Sequence, residues 1–274
     1  MRRVLITLSL ILAVACAKQE APQATNTTPT DTTTTTAAPP LTQEPIGMRV
    51  TFGDGVVGYL SSPKTPGKHA AIIVIQEWWG VDDWIHEQTD RFAKDNYVAL
   101  AVDLYRGRST KDPDEAHELM RGLPQDRALA DLKAGFEYLA QRQDVDPHHI
   151  GVIGWCMGGG YSLALETHEP RLAACVVNYG SLVTDPDAIT KIKAPILGNF
   201  GANDRGIPPD DVKAFGAALT KYGKLGDVKV YDGAGHAFMN PNNKEGYNAT
   251  AAQDAWTRID GFFARNLRDK IGNS

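Results

Sequence analysis

The chain has 274 residues, 42% of them hydrophobic and 22% charged, a balance that suits one large core and excludes disorder throughout. Its 28 basic and 33 acidic residues leave a formal charge of −5, so no basic surface recommends nucleic acid as a partner. The three cysteines, Cys16, Cys156 and Cys175, have no spacing that suggests a disulfide framework or a zinc site.

Met1-Arg2-Arg3 is a short basic start, and Val4 to Ala15 is apolar apart from Thr7 and Ser9. That run is too short to span a bilayer and has the length of an export-signal core. Leu12-Ala13-Val14-Ala15-Cys16 resembles a bacterial lipobox, in which the cysteine is lipidated and becomes the new N-terminus; Ala13 stands where leucine is favoured, and simple cleavage is the alternative. Residues 1–16 are therefore expected to be a signal peptide of the lipoprotein type, with Cys16 the lipidation site. Residues 17–45 are dominated by Thr, Ala, Pro, Gln and Asn, with an unbroken threonine run from Thr32 to Thr36. Such a segment offers too little apolar area to offset the entropy of ordering, so it is expected to be a disordered linker that holds a folded domain away from the cell envelope.

The folded domain is expected over residues 46–274. Met48 to Phe52 and Val56 to Leu60 alternate around Gly53-Asp54-Gly55 and predict an antiparallel hairpin at a sheet edge. Ala70 to Ile75 is a continuous apolar run, as in strands buried on both faces. Asp82 or Asp83 is placed to cap a helix carrying Trp84, Ile85, Gln88, Phe92 and Ala93, and Tyr97 to Val102 is a second buried strand. A short helix over 115–121, a break at Pro124 and a long helix over 127–142 follow, the last with Leu129, Leu132, Phe136 and Leu139 at helical spacing. His149 to Ile153, Ala173 to Asn178, Pro195 to Phe200 and Val228 to Tyr231 are further strands, with a polar stretch around Pro186 and amphipathic helices over 212–222 and 250–267. Alternating strands and helices call for an α/β sandwich of three layers around a mostly parallel sheet.

Gly154-Trp155-Cys156-Met157-Gly158-Gly159 lies between a strand and a helix, the layout of a nucleophile elbow, but with cysteine at the centre. Helix N-terminal amides favour a thiolate there, which is able to attack a carbonyl carbon. The elbow implies an acid and then a histidine later in the chain, and Asp204 and His236 follow in that order, each just beyond a predicted strand. Functional groups of such sheets gather at those strand ends.

As a set, Gln76-Glu77-Trp78-Trp79-Gly80, Asp103-Leu104-Tyr105, the cysteine elbow, the Asp204 loop and Gly235-His236-Ala237-Phe238 resemble the dienelactone hydrolase family of the α/β-hydrolase fold, over about residues 46–267. The resemblance implies cleavage of small carboxylic esters or lactones, with Cys156 as nucleophile, His236 as proton carrier and Asp204 orienting it. The amides of Met157 and Trp78 would stabilise the oxyanion, and Glu77 would take part in activating the thiol. Trp79, Tyr105, Arg106 and Phe238 are expected to contact the substrate, an ion pair with Arg106 being the structural alternative for Glu77. No metal or organic cofactor is implied, and the domain is expected to act as a monomer. The sequence departs from the family at Asn240, where the dienelactone-specific enzymes carry an arginine that holds a substrate carboxylate. Two other readings are a non-catalytic envelope binding protein on the same fold, and a thiol sensor pairing Cys156 with Cys175.

Overall fold

The computed structural model describes residues 46–271; the expected signal peptide, the linker and Cys16 lie outside them. The strands are β1 (Met48–Phe52), β2 (Val56–Ser61), β3 (His69–Ile75), β4 (Val98–Val102), β5 (Val145–Trp155), β6 (Ala174–Asn178), β7 (Ile196–Gly201) and β8 (Gly226–Tyr231). They form one sheet in the order β1-β2-β4-β3-β5-β6-β7-β8. Only β1–β2 and β2–β4 pair antiparallel; the five remaining pairings are parallel. The β1–β2 turn needs its glycines, since Gly53 and Gly55 take φ of 50° and 75°.

Every residue from Ala70 to Ile75 is fully buried, because both faces of β3 are covered. Ala70, Ile72 and Val74 meet α1 (Asp83–Lys94) and α7 (Ala249–Asn266) through Ile85, Phe92, Ile259 and Phe263. Ala71, Ile73 and Ile75 face the opposite layer, where α3 (Gln125–Ala140) contributes Leu132, Phe136 and Leu139 and α4 (Met157–Glu166) contributes Leu163 and Leu165. Each buried Val, Ile, Leu or Phe side chain among these, wholly withdrawn from water, contributes about 1.5–3 kcal/mol. Trp84 belongs to this packing, edge-on to Trp155 with ring centroids 5.1 Å apart.

Local signals set the helix starts. The Asp82 side chain accepts from the Ile85 amide at 3.0 Å to begin α1, and α2 (Pro113–Arg121) opens on Asp112-Pro113. The polar stretch around Pro186 is a helix, α5 (Pro186–Lys191), capped by Asp185 and burying Ile189. Six residues are too few to show a period, but Asp185-Pro186 carries the same start signal as α2. α6 (Pro209–Lys221) begins before the expected Val212, with Pro208 at its cap.

Glu166, in the last turn of α4, is fully buried and accepts from the amides of Lys193 at 2.8 Å and Ala194 at 2.7 Å. Burial outweighs those two donors and pushes its pKa from 4.5 up to about 7. Between those values the folded state keeps a proton that the unfolded chain has released, so stability must fall as pH rises from 4.5 towards 7. Glu77, whose pKa is also pushed up to about 7, acts in the same window. Urea unfolding at pH 5 and pH 7.5 should show this loss, and Glu166→Gln should remove about half of it, up to roughly 3 kcal/mol.

Candidate active site

The turn from β5 into α4 places Cys156 in a backbone conformation that side chains rarely adopt, φ 56° and ψ −120°. Residues held there store about 1–3 kcal/mol, so the surroundings must enforce the turn. They do so by close backbone approach. A Cβ on Gly154 would lie 2.1 Å from the Gly158 carbonyl oxygen, and one on Gly158 would lie 2.4 Å from the carbonyl oxygens of Ile75 and Gln76. Across the turn, a Cβ on Gly159 would meet the Asn178 carbonyl at 2.6 Å, and one on Gly180 the Gly159 carbonyl carbon at 2.3 Å. The Cys156 amide donates to the Asn178 carbonyl at 3.0 Å, and the Asn178 side chain donates to the Gly154 carbonyl at 3.1 Å. Asn199 in turn donates to the Asn178 side-chain oxygen at 2.8 Å. These two buried asparagines escaped the sequence reading; a polar residue near the carboxyl end of an otherwise apolar strand was the available signal.

Three strand ends then bring their side chains together. Cys156 follows β5, Asp204 follows β7 and His236 follows β8. His236 Nε2 lies 3.1 Å from Cys156 Sγ, and its Nδ1 lies 2.7 Å from Asp204 Oδ2. Asp204 is held by the amides of Gly206 at 2.8 Å and Ile207 at 3.1 Å, both on Oδ1. Burial works against its charge, but the bond to His236 and these two amides win and hold its carboxyl below the usual range. A carboxylate only accepts, so Nδ1 donates to it and Nε2 faces the sulfur. Desolvation opposes protonation of His236, yet the bonds to Asp204 and Cys156 outweigh it and push the pKa up to about 10.

Glu77, just past β3, is 2% exposed. Its Oε2 accepts from the Asn240 side-chain amide at 2.7 Å. Its Oε1 and the Tyr179 hydroxyl are both buried and make no bond of good geometry, but the hydroxyl lies close enough to act as a hydrogen-bond donor to the carboxyl and favour its charged form. Desolvation dominates and pushes the Glu77 pKa up to about 7, with Asn240 and His236 pulling the other way and Asp82 adding to the rise.

Two of the expected substrate-binding residues have close partners within the protein. Arg106 is bound to Asp131 at 2.6 Å and to the Gly55 carbonyl at 3.1 Å, so it serves the hairpin and α3 and is not the partner of Glu77. Phe238 is fully buried between Tyr179 and Tyr231, ring centroids 5.4 and 5.1 Å away, and supports the site from beneath. Neighbouring elements claim these two side chains, which a linear motif does not show. Trp78 and Trp79 stay half-buried, edge to face at 4.8 Å. The Tyr105 hydroxyl donates to Met157 Sδ at 3.3 Å, and Tyr105 also senses Cys156 electrostatically. As the first residue of α4, Met157 has an amide with no acceptor inside the helix. Tyr179, which the motifs did not flag, sits edge-on to the His236 ring at 5.4 Å. Cys175 is fully buried in β6, where burial pushes its thiol well above the ordinary value, so it is no partner for Cys156.

The family model for the dienelactone hydrolase family matches residues 56–267. The chain belongs to the dienelactone hydrolase family. Among its relatives, the Aquifex pyrophilus "Protein usf" is 35% identical over 81% of this chain and 100% of its own length. A "Putative carboxymethylenebutenolidase" of Salmonella typhimurium is 34% identical over 78% of this chain and 84% of its own. The crystal structure of a "Putative Dienelactone Hydrolase" from Klebsiella pneumoniae superposes with a TM-score of 0.74 at 30% identity, covering 80% of this chain and 98% of that one. The α/β-hydrolase fold of the family is thus the fold of this chain.

The elbow glycines give a direct test of this construction. Gly158→Ala should destabilise the protein by about 1–3 kcal/mol through overpacking against β3. Gly216→Ala, in α6 with open space around its Cβ position, should instead stabilise it by about 0.5–1 kcal/mol. Thermal unfolding of the two variants checks both signs.

Proposed function

We propose that this dienelactone hydrolase family protein cleaves small carboxylic esters or lactones through a Cys156-His236-Asp204 triad. The observation that carries the reading is the unbroken contact from Asp204 Oδ2 through His236 to Cys156 Sγ, at 2.7 and 3.1 Å. The thiolate form of Cys156 attacks the carbonyl carbon, and the carbonyl π electrons move onto oxygen, where the amides of Met157 and Trp78 receive the charge. Collapse of this adduct expels the alkoxide, which takes a proton from the His236 imidazolium and leaves a thioester. In a lactone the alcohol stays attached to the acyl group. Neutral His236 then takes a proton from water, hydroxide attacks the thioester, and the thiolate departs with the electron pair of the broken C–S bond. Asp204 keeps the imidazole in one tautomer and stabilises its charged form. Glu77 takes part in the initial loss of the thiol proton. Trp78, Trp79 and Tyr105 supply the apolar and aromatic surface beside the reacting carbon.

Cys156→Ala should lower turnover of p-nitrophenyl acetate by at least about 10³-fold, and Asp204→Asn by roughly 10²–10⁴-fold, with the fold retained by circular dichroism. Wild-type turnover in the Cys156→Ala protein would refute the reading.

We also propose that the protein is exported and tethered to the cell envelope by a lipid on Cys16, on the basis of the leader and its lipobox-like end. The intact mass of the mature protein should correspond to a chain starting at a diacylated Cys16. An unmodified N-terminus would overturn the lipid anchor while leaving export standing.

A further inference from the structure

The two asparagines behind the elbow are the inner half of a longer chain of polar groups that starts at the protein surface. Asn178 and Asn199 stand opposite one another near the carboxyl ends of β6 and β7, and both are fully buried. On the outer side of Asn199, α7 supplies Arg258, whose Nη1 donates to Asn199 Oδ1 and, at 3.3 Å, to the Gly198 carbonyl. Its Nη2 is held by Asp227 of the edge strand β8, through the carboxylate at 2.7 Å and the main-chain carbonyl at 3.3 Å. The Tyr231 hydroxyl also lies 3.3 Å from Asn199 Oδ1, but its proton goes to the nearer and charged acceptor, Asp254 Oδ2 at 2.8 Å. Arg258 is thus the strong donor to Asn199.

A guanidinium only donates, and this fixes the direction of every bond inward of it. Because Arg258 takes Asn199 Oδ1, the Asn199 NH₂ group points the other way, to Asn178 Oδ1 at 2.8 Å. With that oxygen occupied, the Asn178 NH₂ group turns to the Gly154 carbonyl at 3.1 Å. The Asn178 main-chain carbonyl takes the Cys156 amide at 3.0 Å, so this one residue grips the chain on both sides of Trp155. The two ends of an amide have the same shape, and neither asparagine selects its orientation alone; the charge at the outer end selects for both. We propose that Arg258 is a positioning residue for Cys156, acting through the Asn199 and Asn178 amides to hold the elbow in the strained conformation that sets Sγ against His236. A buried polar chain whose members are all satisfied is stiff, and each amide polarised by the charge outside it grips the next more firmly. The reacting sulfur gains from that stiffness, since a displacement of about 1 Å can cost about 10²-fold in rate. The inference rests on the hydrolase reading above, and it makes the nucleophile depend on an ion pair at the sheet edge, between Arg258 and Asp227.

The test follows turnover of p-nitrophenyl acetate beside hydrogen exchange of the Cys156 amide in the full chain. Arg258→Met, which keeps the stem and removes the donors, should lower kcat about tenfold while KM stays within about twofold. It should also speed exchange of the Cys156 amide by about tenfold more than that of the Ile73 amide in the middle of β3. Arg258→Lys, which returns one donor, should recover part of both. Should the methionine variant fail to fold, the near-isosteric Asn199→Asp decides: its ionised carboxylate keeps a partner for Arg258 but has nothing to donate to Asn178, so the same two changes should appear. Arg142→Met is the control. It breaks an arginine pair of similar exposure, to Asp144 at 2.6 Å beside the amino end of β5, and should lower Tm while leaving kcat and the Cys156 amide as they were. An unchanged kcat in Arg258→Met or Asn199→Asp, an equal fall in Arg142→Met, or a fallen kcat with the Cys156 amide exchanging no faster relative to Ile73 would each overturn the proposal. Failure of the hydrolase reading shows separately, as undiminished turnover in Cys156→Ala, because amide exchange needs no catalysis.

Discussion

The structure depends on a turn in which three backbone segments approach so closely that no Cβ fits between them. Gly154 and Gly158 press the start of α4 onto the ends of β3 and β5, and Gly159 meets Gly180 beyond β6. The strain stored at Cys156 is held by this contact and by the Asn178 carbonyl, which takes the Cys156 amide. Because the enforcing atoms belong to the centre of an eight-stranded sheet, the sulfur is as rigidly placed as the core itself. The loops that follow β7 and β8 need only reach inward to meet it.

Around that fixed sulfur, two carboxylates are given opposite environments. Asp204 gathers two backbone amides and the imidazole, and its charge is favoured. Glu77 is buried with the Asn240 amide on one oxygen and the Tyr179 hydroxyl beside it, and burial pushes its pKa up to about 7. A carboxyl held ionised suits orienting an imidazolium, and one raised towards neutrality suits exchanging a proton. His236 sits between these extremes, its ring edge-on to Tyr179 and its two nitrogens committed in opposite directions. Asn240 then ties the Glu77 carboxyl to the loop that carries His236, so the two groups share one support.

Much of this was legible in the chain itself, for identifiable reasons. Apolar runs such as Ala70 to Ile75 announce strands covered on both faces, and alternation with periodic helices announces a parallel sheet. Three side chains just beyond strand ends, Cys156, Asp204 and His236, were found through their order and their glycine-rich surroundings. What stayed hidden depends on partners distant in sequence. α5 was too short to show a period. The partners of Arg106, Asp131 and the β1–β2 turn, and those of Phe238, the rings of Tyr179 and Tyr231, could not be read from the chain.

The sequence by itself determined the layered α/β architecture and singled out Cys156, Asp204 and His236, the three residues that meet beyond the strand ends, because periodicity, glycine content and chain order are local properties that survive without coordinates. Only the tertiary structure decided which nitrogen of His236 faces sulfur, that Asn178 and Asn199 brace the elbow, and that Asn240 rather than an arginine meets Glu77. Those are contacts between groups 21 to 163 residues apart, fixed by how strands are ordered in the sheet, and a linear pattern carries no record of which of its distant polar groups will share a dry space.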